Sequence, residues 1–160
     1  MELQAWVMRH GPDIDPETLG NDRDAWLQLI MSHHIEPSFS RSELTFVTHF
    51  PASQAALARL CPDDSRVAER FELYIGPIEL ANGFAELIDA DEQRHRFESD
   101  NRLRRAAGKP EMELDEKFLA ALEHGLPECS GVALGVDRLL MIKTGASHID
   151  EVIAFPQSRL

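Results

Sequence analysis

Three glutamates, Glu72, Glu79 and Glu86, stand at steps of seven within FELYIGPIELANGFAE, residues 71–86. The stretch is expected to fold back at Gly76-Pro77 as a hairpin with strands at 71–75 and 78–82. Proline lacks an N–H and fixes φ, and glycine takes whatever φ the reversal needs. On one straight strand a step of seven sends successive acids to opposite faces. In the hairpin, Ile75 faces Ile78 and Tyr74 faces Glu79, which makes Glu72 and Glu79 diagonal neighbours on one face. Two carboxylates crowded on an apolar hairpin repel each other unless a cation lies between them. Hard oxygen donors of this kind suit Mg2+ carrying phosphates. A solvated sheet face with scattered acids is the competing reading, and spacing alone slightly favours it.

A second stretch with chemical potential is SGVALGVDRLL, residues 130–140. It reads as a glycine-punctuated strand at 131–136 that runs into a helix starting near Asp137-Arg138. Glycines along a strand leave room for a flat or bulky ligand against the backbone. Arg138, in the first helical turn, carries a planar guanidinium that can stack on a base and pair with phosphate oxygens. The plainer alternative is a tightly packed strand with Arg138 paired to Asp137. His33-His34 is a weaker candidate, because adjacent helical residues point in different directions, and helix-end histidines are the simpler reading.

These residues must be positioned by the elements around them. Residues 1–10 fit a short helix or a strand, closed by the Pro- and Asp-bearing link 11–16. Asp22 or Asn21 can cap a helix through about Ile35, with Trp26, Leu29 and Ile30 as its apolar stripe. Residues 44–49, LTFVTH, alternate and are rich in β-branched and aromatic types, which predicts a strand. A polar turn and a helix at 54–60 are expected next, and residues 65–75 enter the hairpin. Asp89 can cap a long charged helix, 90–107, whose acid–base spacing suits solvent. Arg94, Arg96, Arg102, Arg104 and Arg105 on it are candidates for a phosphate-facing patch, although a solvated face is the simpler account. Gly108 and Pro110 stop this helix. A helix at 115–124 and a short strand at 151–155 complete the reading.

At 160 residues the chain is long enough for one domain with a substantial core. A net charge of −12 argues against a broad hold on nucleic acid or anionic membrane. Cys61 and Cys129 lack the paired spacing of a zinc site, and a reduced cytosolic setting is the default. No stretch approaches the ~18 apolar residues of a membrane span, and residues 1–16 lack the order of a signal peptide.

GVALGVDRLLMI resembles motif 3 of the class II aminoacyl-tRNA synthetases: a glycine-rich strand, an acid-arginine pair, then a helix. ERFELYIGPIELANGFAELIDADEQRHRF resembles the segment that precedes it in lysyl-tRNA synthetases. FVTHFPASQAALA and GLPECSGVALGVDR, with Ala133 where lysyl-tRNA synthetases carry glycine, resemble the short paralogues that join (R)-β-lysine to elongation factor P. The resemblance runs from about Asp22 to Phe155.

The resemblance implies an α/β (α+β) domain, a mostly antiparallel sheet flanked by helices, acting as an ATP-dependent ligase in the cytoplasm. Its cofactors would be ATP and Mg2+. Its substrates would be lysine or (R)-β-lysine, with a lysine of elongation factor P as acceptor. Glu72 and Glu79 match the Mg2+-holding acids, and Glu79, Leu80, Gly135 and Arg138 match the ATP contacts, with Arg138 also the catalytic cation. Asn82, Glu86 and Ala133 match the amino-acid pocket, with Glu86 on the side-chain amine. For Asn82 and Glu86 to meet Glu79 on one face a bulge is needed, and Gly83 is the expected place for it. Residues 1–160 would be the C-terminal part of the catalytic domain, with motif 3 at about 130–142. Motifs 1 and 2 are not found in the chain, nor is an anticodon-binding barrel. The chain is then either an excised piece or a truncated gene product, inactive alone. The full protein would be a homodimer that does not bind tRNA. A lysyl-tRNA synthetase fragment and a non-catalytic remnant serving as a binding module are the alternatives.

Overall fold

The computed structural model describes residues 2–12 and 14–159. Met1, Asp13 and Leu160 lie outside the described residues, the first two within the expected opening element and link. The opening element is a helix, α1 (Glu2–His10), followed by the short α2 (Pro16–Leu19) and by α3 (Arg23–Ile30). Asp22 caps α3 by accepting from the backbone N–H groups of Asp24 and Ala25. The chain then continues through a π turn, Met31–Ile35, and a 3-10 turn, Glu36–Ser38. Trp26 is fully buried, and its indole N–H donates to the Gly20 carbonyl at 3.0 Å. His34 sits edge-on to the Trp6 ring, 4.9 Å between centroids, which makes it a packing residue of this helical layer.

The sheet is antiparallel and five-stranded. Its strands are β1 (Leu44–Pro51), β2 (Leu60–Cys61), β3 (Asp64–Ile75), β4 (Ile78–Ala85) and β5 (Ser130–Leu134). They run in the order β1-β3-β4-β5, with β2 paired to the beginning of β3. Three helices follow the hairpin in the chain: α4 (Ala90–Ala106), α5 (Glu116–His124) and α6 (Val136–Thr144). Asp89 and Asp115 cap the first two by accepting from Glu92 and Phe118 N–H groups, each at 2.9 Å.

The β3–β4 hairpin reverses at Gly76-Pro77 with the expected register, Ile75 opposite Ile78 and Tyr74 opposite Glu79. The bulge is not at Gly83. The register slips between Tyr74–Glu79 and Leu73–Ala81, leaving Leu80 as the extra residue, and Gly83 pairs regularly with Phe71. Leu80 is buried, and its carbonyl accepts from Gly135 N–H at 2.8 Å, where β5 hands over to α6. The bulged residue thus finds a partner outside the ladder. Gly83 serves packing instead: a Cβ there would meet the Phe71 ring and, at 2.8 Å, the Gly131 carbonyl.

Three other expectations are corrected. Residues 54–60 form no helix; a 3-10 turn, Ala52–Gln54, leads to Ala56 at φ 51° and then to β2. The small side chains of Ala55, Ala58 and Ala68 pack together with Leu60 and Phe84. The backbone there is satisfied from elsewhere. Arg96 donates to the Ala56 and Ala58 carbonyls, Arg59 N–H to Ala85, and Leu87 N–H to Leu57. Tertiary packing therefore outweighs the helical propensity of alanine. Residues 151–155 form no strand. Glu151 instead closes a 3-10 turn, Ile149–Glu151, by accepting from the Ser147 and His148 N–H groups. The strand expected at 131–136 ends at Leu134, and Gly135 becomes the N-cap of α6.

Candidate functional site

Because partners in an antiparallel ladder share a face, the register assigns side chains to the two faces of the sheet. One row crosses it as Val47, Glu72, Asn82 and Ala133, from β1 through β3 and β4 to β5. Arg70, Phe84 and Gly131 form the adjacent row, and Tyr74 and Glu79 flank the other side. The bulge at Leu80 changes the alternation of β4, which puts Glu79 on the same face as Asn82 and Phe84. Glu86, just past β4, lays its carboxylate against Gly131 on that face, so the absent Cβ there makes room for it. The face therefore collects Glu72, Glu79, Asn82, Glu86 and Ala133. The opposite face carries an apolar row, Phe46, Leu73, Ala81 and Leu134.

Arg138, in the first turn of α6, reaches back to β4. Its Nη1 donates to the Glu79 carbonyl at 2.8 Å and lies 3.6 Å from the Glu79 carboxylate. It is paired with Glu79, not with Asp137 as the plainer sequence reading had it. A Cβ on Gly135 would stand 3.5 Å from the Arg138 side chain, an ordinary contact. Leu80, expected at the nucleotide, has a buried side chain and serves the site through the bulge.

Glu72 is held from both sides. Arg70 Nη2 donates to one carboxylate oxygen at 2.6 Å and the Tyr74 hydroxyl to the other at 2.5 Å. A second acid, Glu36 from the 3-10 turn after α3, stands 3.5 Å from the Tyr74 hydroxyl. Burial raises the Glu36 carboxyl above its ordinary range, and the negative charges of Glu72 and Glu79 add to the effect. Burial likewise raises the Tyr74 phenol, helped by its bond to Glu72, so Tyr74 is a neutral donor. Arg70, Tyr74 and Glu36 were not singled out from the sequence. Strand alternation carried the signal for Arg70 and Tyr74, two residues either side of Glu72. Nothing local to Glu36 pointed to the site.

The face opens into a cavity of about 1030 Å³ whose lining includes Ile35, Glu36, Val47, Arg70, Glu72, Tyr74 and, from α4, His95 and Arg96. A neighbouring cavity of about 420 Å³ is lined by Glu36, Tyr74, Glu79, Arg138, Met141 and Ile149. Among the described residues no group of three or more His, Cys, Asp or Glu side chains is arranged to hold a metal ion by itself. Among the described residues Asn82 Oδ1 is buried with no hydrogen-bond partner, as are Arg70 Nε and Gln93 Oε1. Of the five α4 arginines considered for a phosphate patch, four have partners within the chain: Arg94 pairs with Glu116, Arg96 with Glu92 and Arg105 with Glu111, while Arg104 donates to the Pro110 carbonyl; Arg102 is exposed. Among the described residues no helix is long and apolar enough to cross a membrane.

The sequence model of the tRNA synthetases class II (D, K and N) matches residues 24–159. Among curated proteins, the elongation factor P--(R)-beta-lysine ligase of Proteus mirabilis (strain HI4320) is 60% identical over 138 residues. The protein of that name from Hamiltonella defensa subsp. Acyrthosiphon pisum (strain 5AT) is 57% identical over 138 residues, and that from Klebsiella pneumoniae (strain 342) 59%. Each match covers 86% of this chain and 42% of the relative, so the chain spans less than half the length of the proteins it matches. An antiparallel sheet with flanking helices, a family match over most of the chain and this identity lead to one conclusion: the chain belongs to the class II tRNA synthetases of the D, K and N group.

Proposed function

We propose that this chain is the C-terminal part of the catalytic domain of a ligase, with motif 3 at about 130–142. The enzyme activates (R)-β-lysine or lysine with ATP and passes the acyl group to a lysine amine of elongation factor P. The observation that carries the reading is the bulge at Leu80, which collects Glu72, Glu79, Asn82, Glu86 and Ala133 on one open sheet face beneath Arg138. The relatives' names support the choice of amino acid and acceptor.

Glu72 and Glu79 would hold Mg2+ against the phosphates, and Arg138 would offset the remaining phosphate charge. When bound, Mg2+ neutralises the triphosphate and orients pyrophosphate as the leaving group. Glu86 fixes the side-chain ammonium of the amino acid by a charge-assisted hydrogen bond. Asn82 orients the carboxylate end through its amide, and the Ala133 methyl fills the floor beside it. The substrate carboxylate oxygen then forms a bond to the α-phosphorus as the bond to pyrophosphate breaks, giving an aminoacyl-adenylate. The acceptor amine attacks the acyl carbon, AMP leaves with the bonding pair, and the amine gives up a proton. Catalysis rests on positioning and charge, and no side chain forms a covalent intermediate.

The test is made with the full-length protein that carries these residues. It should catalyse (R)-β-lysine-dependent pyrophosphate exchange and transfer labelled (R)-β-lysine to elongation factor P. Exchange with neither amino acid, or transfer of label to tRNA in place of elongation factor P, would refute the reading.

A further inference from the structure

We propose that Tyr74 and Arg70 are positioning residues for Glu72, clamping its carboxylate from both sides so that the site takes Mg2+ with nucleotide at lower cation concentration. The inference rests on the reading above, in which Glu72 faces Mg2+ and ATP.

Tyr74 and Arg70 flank Glu72 at i+2 and i−2 on β3, so the pleat sets all three side chains on one face. Each takes one oxygen of the carboxylate, Arg70 at 2.6 Å and Tyr74 at 2.5 Å. A carboxylate oxygen accepts more than one hydrogen bond, so both oxygens keep capacity toward the open face. The clamp is itself locked. Arg70 Nη1 donates to the Gln54 carbonyl at 2.8 Å, and the guanidinium lies 4.4 Å from the centre of the Phe50 ring. Tyr74 is buried, with its ring 5.2 Å from that of Phe39.

Glu79 has no such frame. Its side chain is 37% exposed against 12% for Glu72, and among the described residues Arg138, at 3.6 Å, is the one ion-pair partner of its carboxylate. The two acids therefore divide the work, Glu72 as a preset donor and Glu79 as one that adjusts. Ligand carboxylates fixed in this way by outer partners gain metal affinity, because the ordering cost is met before the ion arrives.

The test measures ATP binding to the full-length protein by equilibrium dialysis across a Mg2+ series, with no amino acid present. The proteins are wild type, Tyr74→Phe, Glu72→Gln, the double variant and Arg70→Lys. Tyr74→Phe should raise the half-saturating Mg2+ concentration roughly tenfold, the usual scale for removing an outer partner. ATP bound at saturating Mg2+ should stay unchanged. In the Glu72→Gln background the same substitution should do nothing further. Arg70→Lys keeps the charge but loses the fixed fork, and should shift the Mg2+ requirement in the same direction. Unchanged Mg2+ requirements in Tyr74→Phe and Arg70→Lys, with Glu72→Gln impaired, would overturn the clamp and leave the reading of Glu72 standing. Equal effects of Tyr74→Phe with and without Glu72 would reduce Tyr74 to packing and also overturn it. ATP binding by wild type with no Mg2+ dependence would remove the underlying reading and the clamp with it.

Discussion

Gly131→Ala should strike the amino-acid pocket and leave the nucleotide side alone. Gly131 lies on β5 opposite Phe84, and the Cβ it lacks would point at the Glu86 carboxylate. An added methyl would overlap Glu86 Oε1 and stand 3.4 Å from its Cδ, with no other atom within 4 Å. The strain therefore falls on the movable end of one side chain, and the sheet keeps its register. The carboxylate must move on the order of 1 Å, and misplacement on that scale costs up to about 100-fold. The hydrogen bond at stake, from a ligand ammonium to a carboxylate, is worth roughly 1.5–3 kcal/mol, or about 10- to 150-fold in affinity. Calorimetric titration of the full-length variant with (R)-β-lysine and, separately, with ATP and Mg2+ reads the two losses apart. An unchanged amino-acid affinity in Gly131→Ala, or an equal loss for both ligands, would place Glu86 outside the amino-acid pocket.

In the full-length enzyme, Ala133→Gly should raise adenylate formation with α-lysine relative to (R)-β-lysine by about tens-fold, the discrimination one methyl's contact supplies, and an unchanged ratio would remove Ala133 from substrate choice. Gly83→Ala should cost roughly 1–3 kcal/mol of stability in urea unfolding, because its Cβ would meet the Phe71 ring and the Gly131 carbonyl at the centre of the sheet. Asp64 is held down to about 2 by hydrogen bonds from the Arg66 side chain and backbone N–H. Its stabilising share is thus present above its unfolded pKa and lost as pH falls through about 2; Arg66→Ala should return its carbon-13 titration toward the ordinary carboxylate range. The 160-residue chain by itself should give no amino-acid-dependent pyrophosphate exchange, because it spans only 42% of the length of its relatives.

The hairpin was legible because local chemistry decides it. Gly76-Pro77 and the β-branched and aromatic flanks allow one reversal, and Tyr74 falls opposite Glu79 as expected. The caps at Asp22 and Asp89 were legible for the same reason, whereas Asp115, expected as the first residue of its helix, is its cap. The bulge was not. Gly83 is the conformationally free residue, and sequence reasoning placed the irregularity there. What decides its position is the Leu80 carbonyl, which takes its hydrogen bond from Gly135, far away in the chain. Residues 54–60 failed for a related reason. Their alanines favour a helix in isolation, but Ala55 and Ala58 are needed as small core residues, and arginines from β3 and α4 bond their backbone. Glu36 enters the site only because α3 and its π turn carry it across the face. Such long-range placement leaves no trace in local spacing.

Charge sets the terms on which this face can hold a nucleotide. The chain carries a net −12, and burial, with the nearby negative charges of Glu72 and Glu79 adding to it, raises the Glu36 carboxyl. A triphosphate brought among them adds further negative charge. Positive charge from the chain itself is scarce here. Arg70 is committed to Glu72 and to the Gln54 carbonyl, and the α4 arginines Arg94, Arg96 and Arg105 are paired with glutamates. Arg138 faces the site, yet it already rests on the carbonyl and carboxylate of Glu79. One guanidinium, half exposed and screened by solvent, cannot offset both the acids and the phosphates. A divalent cation between the carboxylates and the phosphates turns the same acids from a barrier into ligands. In the proposed reading, a metal ion is therefore what reconciles the acidic pair of the hairpin with ATP. That is why the repulsion between Glu72 and Glu79 was the first clue the sequence offered.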